Sequence, residues 1–213
     1  MSIIDIIKQQ EGCRLKPYTD TTGHITIGYG RNLTDCGISQ DEADLMLAND
    51  SYNSIFPMYK QMPWISDKSQ AITKEISSIF RQHIQCKLTV EKESNGDIII
   101  GYNRNLTVRG ISKDEAIFMF LHDFHNTKFL LFKALPWLET KPENIRNALI
   151  NMAFNVGVTG LLKFVRFLNA LENNKIPEAV EALKFNADGT KTKYYTQVPS
   201  RVESICKMLI GKI

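Results

Sequence analysis

The chain has 213 residues, 43% of them hydrophobic, and a formal net charge of +3. That is enough apolar material for a stable core, in one large domain or two modest ones. The mild positive charge suits an anionic polymer surface, whereas a nucleic-acid partner demands a denser basic stripe, so no nucleic acid is expected.

Met1 to Gln10 lacks a basic region followed by a long apolar core, and no apolar run reaches the length of a membrane span. The expectation is a protein made in the (host) cytoplasm, without signal peptide or integral membrane segment, whose exit depends on other means. Cys13, Cys36, Cys86 and Cys206 are scattered and form no C-x-x-C pair. Buried, reduced thiols are expected in a chain too large to need disulfide staples.

The first predicted helix places Ile4, Ile7 and Glu11 on one face, because residues three and four apart lie above one another. A carboxylate at the buried end of an apolar stripe is penalised when ionised and so keeps a proton to give, as a general acid must. By position alone, a helix-end glutamate turned toward water is the commoner case, and both readings stay open. Tyr18 to Gly23 then reads as a turn in which Asp20 bonds its own backbone. In the following strand, His24 to Ile27, Ile25 and Ile27 face one side while His24 and Thr26 face the other. An acid, a carboxylate and a water-orienting hydroxyl within so short a span form a set that glycoside hydrolysis can use.

Sliding the sequence against itself gives a long match at an offset of 73, from Ile27 to Ile100. Ile27-Gly28-Tyr29 meets Ile100-Gly101-Tyr102, Arg31-Asn32-Leu33-Thr34 meets Arg104-Asn105-Leu106-Thr107, and Pro63-Trp64 meets Pro136-Trp137. Each copy reads as a short amphipathic helix, a turn and strand ending in Gly-Tyr, a loop, and a helix opened by a capping box. The boxes are Ser39 with Glu42 and Ser112 with Glu115. Two copies are too few for a solenoid, so a duplicated lobe inside one α+β protein fits better. From about Lys141 the chain reads as helical, over 143–155, 160–173 and 176–183, with a last helix from near Pro199.

Glu11-Gly12, Leu15, Tyr18, Asp20, Gly23 and Thr26-Ile27-Gly28-Tyr29-Gly30 resemble the N-terminal motif of the phage-type lysozyme (endolysin) family. The pattern E-G-x-x-L-x-x-Y-x-D-x-x-G-x-x-T-I-G-x-G is complete. Ala148 to Met152, Phe154, Gly157, Thr159-Gly160 and Phe164, then Tyr195, Gln197, Pro199 and Arg201, are similar to the C-terminal part of the T-even phage enzyme. The resemblance covers roughly 1–50 and 124–213. It implies hydrolysis, with inversion, of the β-1,4 bond between N-acetylmuramic acid and N-acetylglucosamine in peptidoglycan, for lysis of the bacterial cell wall. It implies Glu11 as the acid, Asp20 and Thr26 managing the water, and Arg201 as a supporting residue against Glu11. Phe154 matches a substrate-binding position, although an aromatic at helical spacing is as readily core. No metal or organic cofactor is implied, and a monomer is expected.

The family usually has histidine where this chain has Arg31, and its polar sugar contacts fall on Phe167 and Ala182. Substrate fit departs more than chemistry does. In the second copy Glu11 becomes Ile84, Asp20 becomes Glu93, Thr26 becomes Ile99 and Gly30 becomes Asn103, which removes both the acid and the hydroxyl. That copy reads as a dead lobe, a spacer or an extension of the glycan groove. His122 and His125 stand at a spacing that suits part of a metal site, but nothing completes it and solvated histidines are expected. The reading is therefore an α+β, mostly helical fold with a catalytic lobe over 1–50, a degenerate repeat over 51–123 and a helical lobe over 124–213. A non-catalytic glycan-binding protein on the same scaffold is the alternative, and a toxin delivered into another cell is a third.

Overall fold

The computed structural model describes residues 1–61 and 69–212. The sequence match at Pro63-Trp64 lies outside them. The fold is α+β and mostly helical, with two small three-stranded antiparallel sheets. The chain forms two compact units, one made of Met1–Gln10 with His122–Ile213 and the other of Glu11–Leu121.

Helix α1 (Ile3–Glu11) buries Ile6 and Ile7 completely or nearly so, while Ile4 is half-buried. In the sheet-bearing unit, β1 (Arg14–Thr19), β2 (Ile25–Gly28) and β3 (Arg31–Asn32) pair in that order. Helix α2 (Gln40–Gln61) and helix α3 (Ser69–His83) lead to β4 (Lys87–Lys92), β5 (Ile98–Gly101) and β6 (Arg104–Asn105). The second sheet repeats the register of the first. Tyr18 faces Thr26 and Ile27 faces Arg31 in one; Glu91 faces Ile99 and Ile100 faces Arg104 in the other. A one-turn helix α4 (Leu106–Arg109) follows, capped by the Asn105 side chain, whose Oδ1 accepts from Val108 N at 2.9 Å.

Both capping boxes close. Glu42 N donates to Ser39 Oγ and Ser39 N to Glu42 Oε2, at 3.2 and 2.7 Å; Ser112 and Glu115 do the same at 3.1 and 2.6 Å. Two orphan amides of each first turn are thereby satisfied. The second box opens helix α5 (Lys113–Ala134).

The two sheets and their helices share one core and exchange contacts reciprocally. Ile27, Leu33, Ile38, Ala43 and Met46 interlock with Ile100, Leu106, Ile111, Ala116 and Met119. Ile38 N donates to Leu88 O at 2.7 Å, and Ile111 N to Leu15 O at 2.8 Å. Arg31 is buried, giving Nη2 to Glu42 Oε1 at 2.7 Å and to Met119 O at 3.4 Å. Arg104 mirrors it, giving Nη1 to Glu115 Oε1 at 2.8 Å and to Met46 O at 3.4 Å. Residue i of one copy meets residue j of the other and j meets i, the pattern of an isologous interface inside one chain.

The helical unit contains α6 (Glu143–Val156), α7 (Val158–Leu161), α8 (Val165–Glu172), α9 (Ile176–Lys184), α10 (Lys193–Gln197) and α11 (Pro199–Leu209). Its core includes Leu149, Met152, Leu161, Leu171, Leu183, Val202 and Ile205. Asn144 Nδ2 donates to Met208 O and Leu209 O at 3.2 and 3.1 Å, satisfying carbonyls at the end of α11.

The structure corrects two expectations. The helix expected over 160–173 is broken between α7 and α8, because Phe164 leaves helical geometry, at ψ 56°, and sets its ring 5.5 Å from that of Tyr194. The cysteines are free, but Cys13 and Cys36 are exposed and Cys86 is half-buried, leaving only Cys206 in the core. Cys13 and Cys36 lie in loops rather than on apolar faces, so nothing covers them.

Candidate active site

Glu11 is the last residue of α1 and is half-buried. Its Oε2 lies against Gly30, so close that a Cβ added there would stand 3.4 Å from it. Gly30 has φ +86° in the tight turn between β2 and β3, a conformation glycine adopts at no steric cost. The T-I-G-x-G run thus supplies a strand, a turn and a bare backbone surface for one carboxylate. The neighbouring Tyr29 packs on Phe120, with ring centroids 5.2 Å apart, and its phenol is raised above its ordinary pKa first by burial, then by Cys13.

Asp20 closes the turn between β1 and β2. Its Oδ1 accepts from His24 N at 2.9 Å, Thr22 N at 2.8 Å and Thr22 Oγ1 at 2.8 Å. Led by the His24 amide and the Thr22 hydroxyl, these bonds hold its carboxyl down at about 2. Asp20 is therefore an anion throughout the physiological range, suited to orienting water and stabilising positive charge. A base so weak takes up a proton reluctantly. Thr26 stands in the central strand β2, opposite Tyr18 and Asn32, and is 4% exposed.

The structure places Glu11, Asp20 and Thr26 in the sheet-bearing unit, and Phe154 and Arg201 in the helical unit. Phe154 is half-buried in the last turn of α6, and Arg201 is buried in the first turn of α11. Arg31, standing where the family has histidine, is committed to its buried pair with Glu42, which makes it a structural residue. His122 and His125 are exposed.

Some features escaped the sequence reading. His24 Nδ1 lies 2.6 Å from Thr22 Oγ1 and its Nε2 3.3 Å from Asp35 Oδ2, so the imidazole braces the Asp20 turn. The Asp20-x-x-x-His24 spacing carried that signal. In the helical unit, Phe167 and Ala182 border a cavity of about 350 Å³ with Lys163, Arg166, Asn186 and Lys193. Phe167 itself is 1% exposed, so the polar groups of that cavity come from neighbours no motif marked. Tyr195 donates to Glu203 Oε1 at 2.7 Å, and Lys184 reaches the same carboxylate at 2.8 Å. Lys184, then Tyr195, lower the Glu203 pKa, a structural pairing beside α10.

The sequence profile of the phage lysozyme family matches residues 8–72, a span that contains Glu11, Asp20 and Thr26. Over that span the chain is similar to the phage-type lysozymes. Two curated relatives from Dictyostelium discoideum span nearly the whole length. Probable T4-type lysozyme 2 is 23% identical over 191 residues, 90% of this chain and 86% of its own. Probable T4-type lysozyme 1 is 24% identical over 210 residues, 98% of this chain and 93% of its own. The likeness is to lysozymes at family level. Among the described residues no helix is long and apolar enough to cross a membrane.

Proposed function

We propose that this phage-type lysozyme relative is a peptidoglycan muramidase, cleaving the β-1,4 bond between N-acetylmuramic acid and N-acetylglucosamine. Glu11 gives its proton to the leaving glycosidic oxygen. Asp20, ionised down to about pH 2, faces the positive charge that develops at the anomeric carbon, orients the attacking water together with the Thr26 hydroxyl, and takes up the water's proton as its bond to that carbon forms. Inversion requires the two carboxyl groups to stand roughly 6.5–9.5 Å apart, leaving room for that water. Phe154 offers an apolar face to the glycan.

The observation that carries this reading is the Glu11 carboxylate seated on the bare Gly30 turn, in the same unit as a permanently anionic Asp20. The test is turbidity loss of purified peptidoglycan with wild type and Glu11→Gln, with the released ends identified by mass spectrometry. Reducing-end muramic acid from wild type alone is the expected result. Glycan binding without cleavage by both proteins would replace the reading with that of a binding protein.

A further inference from the structure

The second sheet carries its own cavity, of about 310 Å³, bordered by Phe80, Ile84, Tyr102, Asn103, Arg104 and Arg109. It is built around the counterparts of the first copy's acid site, since Ile84 stands 73 positions after Glu11 and Asn103 the same distance after Gly30. The two exchanges are complementary. Where the acid is present, the facing residue is a glycine with no side chain to crowd it; where isoleucine replaces the acid, an asparagine stands opposite. Asn103 keeps the left-handed backbone, at φ 65°, despite having a side chain. Only asparagine and aspartate among side-chain-bearing residues adopt that conformation with any ease.

We propose that this cavity is a non-hydrolytic site for an N-acetylhexosamine unit of a glycan strand. The proposal rests on the glycan-directed reading of the protein given above. Its chemistry is that of neutral sugar recognition, an apolar face beside a few fixed hydrogen-bonding groups. Phe80 is 42% exposed and offers its ring to the apolar face of a sugar. The Tyr102 ring is held in place by its hydroxyl, which donates to Asp44 Oδ1 at 3.0 Å and accepts from Gln40 Nε2 at 2.9 Å. Asn103 is exposed and brings both a donor and an acceptor, matching an acetamido group.

The charged groups balance one another, which favours a neutral ligand. Arg104 is buried against Glu115, and the exposed Arg109 pairs with Asp50 Oδ1 at 3.1 Å. Asp50, which also borders the cavity, faces Arg104 as well, at 3.5 Å. A carboxylate held between two guanidiniums keeps oxygen lone pairs that can accept from sugar hydroxyls. Hydrolysis is absent here by construction, and what remains is a grip.

The test is a residue-resolved NMR titration of the full chain carrying Glu11→Gln, with N-acetylglucosamine tetramer as the probe and glucose tetramer as the control lacking acetamido groups. The expected result is a shift of the Asn103 side-chain amide and of the backbone amides of 102–105 with the first probe and not with the second. The dissociation constant read from those signals should weaken about tenfold in Phe80→Ser and in Arg109→Ser. Both positions are exposed, and unchanged spectra elsewhere establish that these variants fold. Shifts confined to the surroundings of Glu11, or an affinity in both variants equal to that of the Glu11→Gln parent, would overturn the proposal. Because binding at Asn103 is read without turnover, failure of wild type to cleave peptidoglycan would strike only the muramidase reading.

Discussion

Glu11 and Gly30 in the first copy stand where Ile84 and Asn103 stand in the second, on backbones that pair in the same register. Several structural devices are common to both copies: the arginine-glutamate pairs, the capping boxes and the crossed backbone bonds to Leu15 and Leu88. The residues of the proposed hydrolytic site differ. The lesson is that packing and the proposed chemistry are constrained by separate residues, so isoleucine can stand at the position of Glu11 without loosening the core.

The sharpest way to test that separation is at the acid. Glu11→Gln should lower the rate of glycan cleavage by about 10²–10⁴-fold, the usual worth of a general acid, with unchanged thermal unfolding. Ile84→Glu, in that same background, should restore none of it, since Ile99 stands in place of Thr26; any cleavage in that double variant would break the comparison.

The shared elements should be costly wherever they are cut. Arg31→Met and Arg104→Met each leave a buried glutamate without its partner, and urea unfolding should register a loss of about 3–5 kcal/mol in both. Unequal losses would mean the two copies are not mechanical equals. Gly37→Ala and Gly110→Ala place a Cβ only 2.1 and 2.2 Å from the carbonyl oxygens of Leu88 and Leu15, at positive φ. A destabilisation of roughly 3 kcal/mol is expected in each, or outright failure to fold.

A smaller effect is expected where the copies were exchanged. Asn103→Gly relieves a left-handed asparagine and should change stability by only about 0.5 kcal/mol, whereas Gly30→Asn crowds Glu11 and should cut cleavage far more than it cuts stability.

The smallest is a pH effect confined to the first copy. The Asp20 carboxyl lies below its ordinary value, at about 2, so its contribution to stability is complete above the unfolded carboxyl range and lost as pH falls toward 2. Wild type and Asp20→Asn should converge in thermal stability below that pH, and a carbon-detected titration of Asp20 with a midpoint near 4 would refute the assignment.

Much of the fold was legible in the sequence because its signals are local. The capping boxes, the Gly-Tyr strand ends and the helices over 143–156 and 176–184 depend on residues within a few positions of one another. The break at Phe164 was not legible, since a ring packing on Tyr194, thirty positions on, overrides the local helical preference. Among site residues, Asp20 was legible as a turn aspartate, but its depth of ionisation was not, because three donors from the folded turn set it. Arg31 read as a departure at the substrate and turned out to be buried structure, for its partners Glu42 and Met119 belong to other elements.

By itself the sequence determined the mostly helical α+β class, the lysozyme-like motif around Glu11, and the match of one half-lobe to another. Those are properties of spacing and residue type along the chain, which short-range backbone preferences and hydrophobic periodicity read directly. Only the tertiary structure decided that the two copies interlock reciprocally around one core, that Arg31 and Arg104 face inward, and that a polar cavity survives beside Ile84. The physical reason is that such contacts join residues tens of positions apart, and their worth depends on which faces are removed from water together.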